Sequence, residues 1–220
     1  MSNISTLIGE IVDVKTSGEV IFRGTLIEVG QDIIVIFDDK NFIYIPLLHV
    51  HRINLSDNLD ETISDPSETS LEKIESISYR ETLLNTKGIF TEIYVTGGKS
   101  LHGYITEVRS DYFVFYSPIY KTIFISLTHL KWLTPYKQNM TPYTLSNKDF
   151  PANPFSDPLL HSFEEQLKVF EGKLIVLDTQ ATSMKVGLLK EVKNGFVELT
   201  IVNGESIYLN LDHIKSLHLP

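Results

Sequence analysis

Apolar and polar residues alternate over short segments of the chain, a pattern that is typical of half-buried β-strands. Near the amino terminus these segments stop at turn-forming groups, namely Ser17-Gly18, Gly30-Gln31-Asp32 and Asp38-Asp39-Lys40-Asn41. The pattern predicts five short strands, over residues 9–16, 19–29, 33–37, 42–47 and 49–53.

The same pattern occurs three times. The second copy follows the first by 79 or 80 residues, and the third follows the first by 163 or 164. Each copy repeats a mid-strand glycine, a glutamate, an apolar triplet with a central aromatic residue, and a histidine. These are Gly24, Glu28, Ile43-Tyr44-Ile45 and His49; Gly103, Glu107, Ile123-Phe124-Ile125 and His129; and Gly187, Glu191, Ile207-Tyr208-Leu209 and His213. A fixed period of this kind indicates a repeated structural unit, so we expect a mainly β protein of three tandem units.

The repeat divides the chain into units at 1–54, 80–136 and 158–220, with an acidic linker at 55–79 and a proline-containing linker at 137–157. A short helix is predicted before each of the last two units. In the first linker, Thr69 and Glu72 have the spacing of a capping box for a helix that carries Leu71, Ile74 and Ile77. Before the third unit, Asp157-Pro158 is typical of an N-cap and first helical residue, with apolar residues following at Leu159, Leu160, Phe163, Leu167 and Phe170.

The recurring glycines Gly24, Gly103 and Gly187 lie in the middle of predicted strands. A missing side chain allows the strong bend by which a five-stranded sheet curls into a small barrel. A unit of about fifty residues has little core of its own. We therefore expect the three units to pack on one another or on a partner.

Composition is that of a folded chain outside the membrane. The 220 residues are 42% hydrophobic, and the longest apolar runs are far too short to span a bilayer. The amino terminus lacks the pattern of a secretory signal, so we expect a cytoplasmic protein. The chain has no cysteine, which excludes disulfides and thiolate chemistry. Its formal net charge of −9 argues against general affinity for a phosphate backbone.

The segment from Ser17 to Val29 resembles the first Sm motif, in which a turn leads to an apolar residue, glycine, leucine and an acidic residue. A helix followed by five bent strands is the Sm-like (SH3-like) barrel plan. The segment from Phe42 to Val50 is more similar to small, uncharacterised domains of spore-forming Gram-positive bacteria, some of them spore-coat-associated. The resemblance implies three Sm-like barrels. It also implies a role either in the spore coat or its assembly, or as a ring of barrels that binds RNA.

The chain departs from the Sm pattern at the RNA site. Uridine-binding Sm proteins resemble one another in an asparagine after the first motif and an Arg-Gly pair in the last loop. This sequence has instead Ile34-Val35, Phe113-Val114 and Val197-Glu198 at the first position, and Pro46-Leu47, Ser126-Leu127 and Asn210-Leu211 at the second. A nucleic-acid base could still stack on Tyr44, Phe124 or Tyr208. The alternative is that these aromatic residues fill the barrel or its edge, or contact a partner.

The recurring histidines are the best candidates for chemistry. If the three units surround a pseudo-threefold axis, His49, His129 and His213 meet there and hold a divalent metal. The alternative is a histidine that caps the turn into the last strand and hydrogen-bonds backbone. The recurring glutamates offer one carboxylate per copy, whereas acid–base catalysis needs a pair in a cleft. No nucleophile triad or phosphate-binding glycine loop is present.

The sequence therefore favours a non-enzymatic structural or scaffold protein without a cofactor. Its expected partner is another protein or a second copy of itself, such as a dimer of three-unit chains. The alternative is an RNA-binding protein in which two chains form a pseudo-hexameric ring. Three polar residues, Glu198, Asn210 and Asp212, make the late strands of the third copy the most polar of the three. They mark either a partner surface or a solvated face.

Overall fold

A computed structural model describes residues 4–18, 20–56, 77–137, 143, 155, 157–179, 181 and 185–220. The first copy contains β1 (Ile11–Thr16), β2 (Ile21–Val29), β3 (Ile33–Phe37), β4 (Phe42–Pro46) and β5 (Val50–Leu55). The second contains α1 (Tyr79–Asn85), β6 (Phe90–Tyr94), β7 (Leu101–Val108), β8 (Tyr112–Ser117), β9 (Lys121–Ser126) and β10 (Trp132–Pro135). The third contains α2 (Phe163–Lys168), β11 (Leu174–Leu177), β12 (Lys185–Lys193), β13 (Phe196–Thr200), β14 (Ser206–Asn210) and β15 (Ser216–His218). The prediction of a mainly β chain with five strands per copy is confirmed.

All fifteen strands belong to one antiparallel sheet. Within each copy the strand order is fifth, first, second, third, fourth, and the fourth strand of one copy pairs with the fifth strand of the next. The pairs β4–β10 and β9–β15 therefore join the copies, while β5 and β14 lie at the two ends of the sheet. Among the described strands no pairing closes a copy on itself. The sheet is thus open, and the predicted arrangement into three barrels is not confirmed. The next copy satisfies the edge of each fourth strand in the first two copies.

The second strand of each copy bends at a β-bulge, and the bulges fall at equivalent places: Leu26/Glu28, Ile105/Glu107 and Leu189/Glu191. The mid-strand glycines are required by a close approach of backbone. A Cβ atom on Gly103 would overlap the carbonyl oxygen of Tyr116, and one on Gly187 would lie 2.7 Å from the carbonyl oxygen of Thr200. The architectural role predicted for these glycines therefore has a steric cause.

Each copy has its own hydrophobic core, built from alternate residues of its strands. On the third and fourth strands the inward residues are Ile34, Ile36, Ile43 and Ile45 in the first copy, Phe113, Phe115, Ile123 and Ile125 in the second, and Val197, Leu199, Ile207 and Leu209 in the third. The intervening residues point to the other face of the sheet, because side chains alternate along a strand. That other face forms the junctions between copies.

A short helix precedes the strands of the second copy and another precedes those of the third. The helix before the second copy starts at Tyr79, capped by Ser78, while the predicted capping box at Thr69 and Glu72 lies outside the described residues. The helix before the third copy starts at Phe163. Its cap is Ser162, which forms a capping box with Glu165, so the prediction of a cap at Asp157-Pro158 is wrong. Of the predicted apolar residues, Phe163, Leu167 and Phe170 are buried in the core of the third copy.

In the part of the chain that the structure describes, neither helix has the length and apolar character needed to cross a membrane.

Candidate functional site: the junctions between copies

The two junctions inside the chain use the same strand register. At the first, Leu133 of β10 lies opposite Tyr44 of β4. At the second, Leu217 of β15 lies opposite Phe124 of β9. Leu133 and Leu217 are both fully buried and stand four residues after His129 and His213. The junction is therefore part of the repeat.

At each junction an aromatic side chain enters the core of the following copy. Phe124 is 1% exposed and belongs to the core of the third copy, where its ring centroid lies 5.3 Å from that of Phe170 and 5.1 Å from that of Phe155. Tyr44 packs in the same way against the core of the second copy, and burial raises the pKa of its hydroxyl. The third and fourth strands of one copy thus help to complete the core of the next.

We use the term outer face for the three equivalent positions that point away from a copy's own core on its third and fourth strands. The outer face consists of Ile33, Val35 and Tyr44 in the first copy, Tyr112, Val114 and Phe124 in the second, and Phe196, Glu198 and Tyr208 in the third. In the second copy all three side chains are at most 1% exposed. In the third copy Phe196 is 48% exposed and Tyr208 is 65% exposed. The difference arises because β14 lies at the end of the sheet, where no other described copy covers this face.

Tyr112 shows how closely an outer face fits the next copy. Its hydroxyl lies 2.8 Å from the carbonyl oxygen of Leu160 and 3.0 Å from Oε1 of Gln166, both in the third copy. Burial of the ring raises the pKa of Tyr112 to about 12, so the hydroxyl stays protonated and serves as a donor. A buried tyrosine usually requires such a partner for its polar end.

A carboxylate from one copy also binds the first backbone amide of the next copy's helix. Oδ1 of Asp32 accepts a hydrogen bond from the Tyr79 amide at 2.6 Å, and Oδ1 of Asp111 accepts one from the Phe163 amide at 2.8 Å. An acidic group is favourable at a helix amino terminus, where backbone N–H groups lack helical partners. The equivalent residue of the third copy is Gly195, which has no carboxylate.

The recurring histidines lie in three separate 3₁₀ helices, Leu47–His49, Leu127–His129 and Leu211–His213, and they do not converge on an axis. Among the described residues no group of three His, Asp or Glu side chains is arranged to hold a metal ion. The hypothesis of a metal site at His49, His129 and His213 is therefore wrong. Each 3₁₀ helix leads into the last strand of its copy, where the histidine is close to the junction.

The histidine of one copy approaches the backbone of the next. Nε2 of His129 donates a hydrogen bond to the carbonyl oxygen of Asp212 at 2.9 Å, and Asp212 directly precedes His213. At the first junction the corresponding residues are His49 and Thr128; Nδ1 of His49 lies 2.9 Å from Oγ of Ser17. Burial lowers the pKa of both His49 and His129. The backbone of the following copy, at Thr128 and Asp212, raises the pKa by less than burial lowers it. His213 is exposed at the end of the chain of copies.

The three aromatic residues proposed for base stacking therefore have different environments. Phe124 is enclosed between the second and third copies, so its ring is not accessible to a base, and Tyr44 is packed against the second core. Tyr208 is the exposed member of the set. The three positions are equivalent in the repeat, and at two of them, Tyr44 and Phe124, the side chain contacts the next copy of the same chain.

Sequence reasoning missed the other two positions of the outer face. A signal was present, because β3 reads Ile33-Ile34-Val35-Ile36-Phe37 without a polar break, as does β8 over Tyr112–Tyr116. A continuous apolar run is typical of a strand buried on both faces. In the third copy Glu198 interrupts this run.

The fold and its junctions define a protein of three sequence-related five-stranded units joined edge to edge in one sheet. The chain belongs to the YwrJ family. A family model described as the YwrJ third domain matches residues 162–217. The protein YwrJ of Bacillus subtilis (strain 168), described as uncharacterised, is 46% identical over 225 aligned residues that cover 100% of both chains.

Proposed function

We propose that this protein is a non-enzymatic assembly protein that binds a protein partner through the outer face of its third copy. The exposed pair Phe196 and Tyr208 supports this proposal, because three residues at the equivalent positions, Tyr44, Tyr112 and Phe124, pack against the next copy. An aromatic residue on an accessible face is a common anchor for protein recognition. The free edge of β14 adds backbone groups that can pair with another strand.

The proposal includes the Sm-like barrel class and a place in the spore coat or its assembly. The strand order, the bent second strand and the pairing of fourth with fifth strands are consistent with that class. The proposed place in the spore coat or its assembly is supported by the sequence resemblance. Protein levels measured in growing and in sporulating cells test it, and a protein present only during growth would contradict it.

The binding proposal is tested by photo-crosslinking inside the cells that make the protein. Tyr208 is replaced by the photoreactive residue p-benzoylphenylalanine, and the control chain carries it at Ile119, which is 64% exposed in the second copy. We expect covalent protein adducts at position 208 and none at 119, with the captured chain identified by mass spectrometry. Adducts to RNA would support the nucleic-acid alternative instead. No adduct at 208 would contradict the proposal.

A further inference from the structure

The two ends of the sheet are complementary halves of a junction. At one end, the third copy presents an outer face that covers no core. At the other end, β5 of the first copy has no described fourth strand beside it. Ile53 is the residue of β5 that corresponds to Leu133 and Leu217, yet it is only partly buried, whereas those two are fully buried.

The uncovered end of the first copy is apolar. Leu48 is 69% exposed and Leu55 is 52% exposed, and they flank Ile53 in the chain. Ile4 and Leu7 lie in the 3₁₀ helix that precedes β1 and are partly buried against the first core. Leu167 of α2 is fully buried at the position equivalent to Ile4. The first copy therefore offers the kind of surface that receives Phe124 in the third.

We propose that a second copy of this chain docks head to tail, so that β14 of one chain pairs with β5 of another and Tyr208 lies opposite Ile53. This inference rests on the proposed function and names its partner. The register follows from the two internal junctions, which pair Tyr44 with Leu133 and Phe124 with Leu217. A contact between two different surfaces of one chain is heterologous and repeats until the assembly closes.

The observation that identifies a second copy as the occupant is continuity with the internal junctions. At both internal junctions, the fourth strand of one copy pairs with the fifth strand of the next copy. Among the described strands, the fifth strand that pairs with its own first strand but with no fourth strand is β5 of the first copy. Because β5 and β14 lie at opposite ends of the same sheet, β5 of another chain completes the pattern.

The histidine contact extends to this third junction. His129 donates to the carbonyl oxygen of the residue that precedes the histidine of the next copy. In the first copy that residue is Leu48, and at the end of the third copy the histidine is His213. We therefore expect Nε2 of His213 to donate to the Leu48 carbonyl oxygen of the second chain.

Two features make the junction between chains weaker than those inside the chain. Glu198 occupies the position of Val35 and Val114, and its carboxylate accepts a hydrogen bond from Ser206 Oγ at 2.8 Å. Covering a charged carboxylate with apolar surface is costly. The helix-binding carboxylates of Asp32 and Asp111 have no counterpart at Gly195. Association should therefore be reversible and dependent on concentration.

Sedimentation equilibrium over a range of protein concentrations tests the docking. A single chain has a mass of 25.0 kDa, and we expect species of two or more chains to form as concentration rises. Glu198→Val introduces the valine found at the equivalent positions of the first two copies, Val35 and Val114. It should lower the dissociation constant by about tenfold or more, because it removes a charge that docking would bury. Tyr208→Ser should raise it by about tenfold or more, since it removes the aromatic anchor.

The matched control is Ile119→Ser, which alters a 64% exposed side chain of the second copy and should leave association unchanged. All three variants change partly or largely exposed residues, so their folding is checked by circular dichroism before association is compared. A mass of 25.0 kDa at every concentration, for both the natural chain and Glu198→Val, would overturn the proposal.

Engineered cysteines test the register, since the chain has none of its own. The Ser126 amide donates to the Lys215 carbonyl oxygen at 3.0 Å, which marks a hydrogen-bonded pair. The adjacent pair, Ile125 with Ser216, is then a non-hydrogen-bonded pair, whose side chains lie closest together. Its counterpart between chains is Leu209 with Arg52.

We expect a chain with Leu209→Cys and a chain with Arg52→Cys to form a disulfide when they are mixed and oxidised, because directly opposed residues satisfy the short Cβ separation. Tyr208→Cys mixed with Arg52→Cys is the out-of-register control and should react more slowly. Equal rates for the two mixtures, or no disulfide in either, would contradict the proposed register.

The outcomes separate this inference from the proposed function. If association fails while the photoreactive residue at position 208 captures a different protein, the head-to-tail docking is overturned and the assembly function stands. If association fails and position 208 captures nothing, both are overturned.

Discussion

Phe124 lies directly opposite Leu217 across the junction between the second and third copies, and both side chains are buried in the core of the third copy. Phe124 belongs to the second copy in sequence, yet its side chain forms part of the core of the third copy. This arrangement explains why a chain of small units forms one sheet. It also makes the stability of each later copy dependent on the copy before it, in addition to its own residues.

Phe124→Ala should destabilise the protein strongly. Removing a fully enclosed aromatic ring leaves a cavity in the third core, and we expect the free energy of unfolding to fall by about 3–5 kcal/mol. Urea denaturation checks this value. The control is Tyr208→Ala at the equivalent, 65% exposed position, measured at a protein concentration low enough to keep chains apart. Its effect should stay within about 0.5 kcal/mol. Equal losses for the two variants would show that the junction does not enclose Phe124.

Gly103→Ala tests the close approach of β7 and β8. A Cβ atom at this position would overlap the Tyr116 carbonyl oxygen, so the two strands must move apart. We expect a loss of about 2–3 kcal/mol in the free energy of unfolding. Gly98→Ala is the matched control in the same copy, because nothing lies within 4 Å of its Cβ position. Thermal and urea unfolding compare the two, and a Gly103→Ala variant as stable as Gly98→Ala would refute the steric argument.

Ser162→Ala tests where the helix before the third copy begins. Ser162 accepts a hydrogen bond from the Glu165 amide, and Glu165 Oε2 accepts one from the Ser162 amide. Losing the cap should lower the free energy of unfolding by about 1 kcal/mol. Asp157→Ala is the control at the position favoured by the sequence pattern, and it should have an effect below about 0.5 kcal/mol. The reverse order of these two effects would place the cap at Asp157.

The junction histidines predict a pH dependence of stability. Burial lowers the pKa of His49 and His129 below the ordinary value of 6.5, so the unfolded chain binds their protons more readily than the folded chain does. Their contribution to stability is therefore present above pH 6.5 and is lost as the pH falls through the lower folded-state values.

Urea unfolding of the natural chain and of His129→Gln, measured between pH 8 and pH 5, checks this dependence. We expect the variant to lose less stability over that interval, because glutamine keeps a side-chain donor for the Asp212 carbonyl and does not titrate. An unchanged pH slope would show that His129 is not the titrating group.

Much of the local structure follows from the sequence. The strands predicted at 33–37 and 42–47 correspond to β3 (Ile33–Phe37) and β4 (Phe42–Pro46), because alternation and turn residues are local signals. The need for glycine at positions 24, 103 and 187 is predicted as well, although the β-bulges fall after these residues, at Leu26/Glu28, Ile105/Glu107 and Leu189/Glu191. The start of the helix before the third copy is not, since the predicted cap, Asp157, stands before the observed cap, Ser162, with Leu159 and Leu160 between them. Ser162 is the N-cap because it forms a capping box with Glu165, and Asp111 of the previous copy accepts a hydrogen bond from the Phe163 amide.

The candidate site is harder to predict. The periodicity shows that Tyr44, Phe124 and Tyr208 are equivalent, but their exposures differ because the covering surface is another copy about eighty residues away. For the same reason the histidines look like a set of three ligands in the sequence. In the structure His49 and His129 lie at two different junctions, and His213 is exposed.

The sequence by itself determined the number of copies, their five strands and the recurring glycines of the second strands, since each depends on neighbouring residues and on a fixed period. Only the tertiary structure decided that the copies share one sheet, that Phe124 completes the core of the third copy, and that Tyr208 covers none. The physical reason is that alternation shows a face to be apolar without showing what covers it. Burial depends on backbone pairing between distant strands.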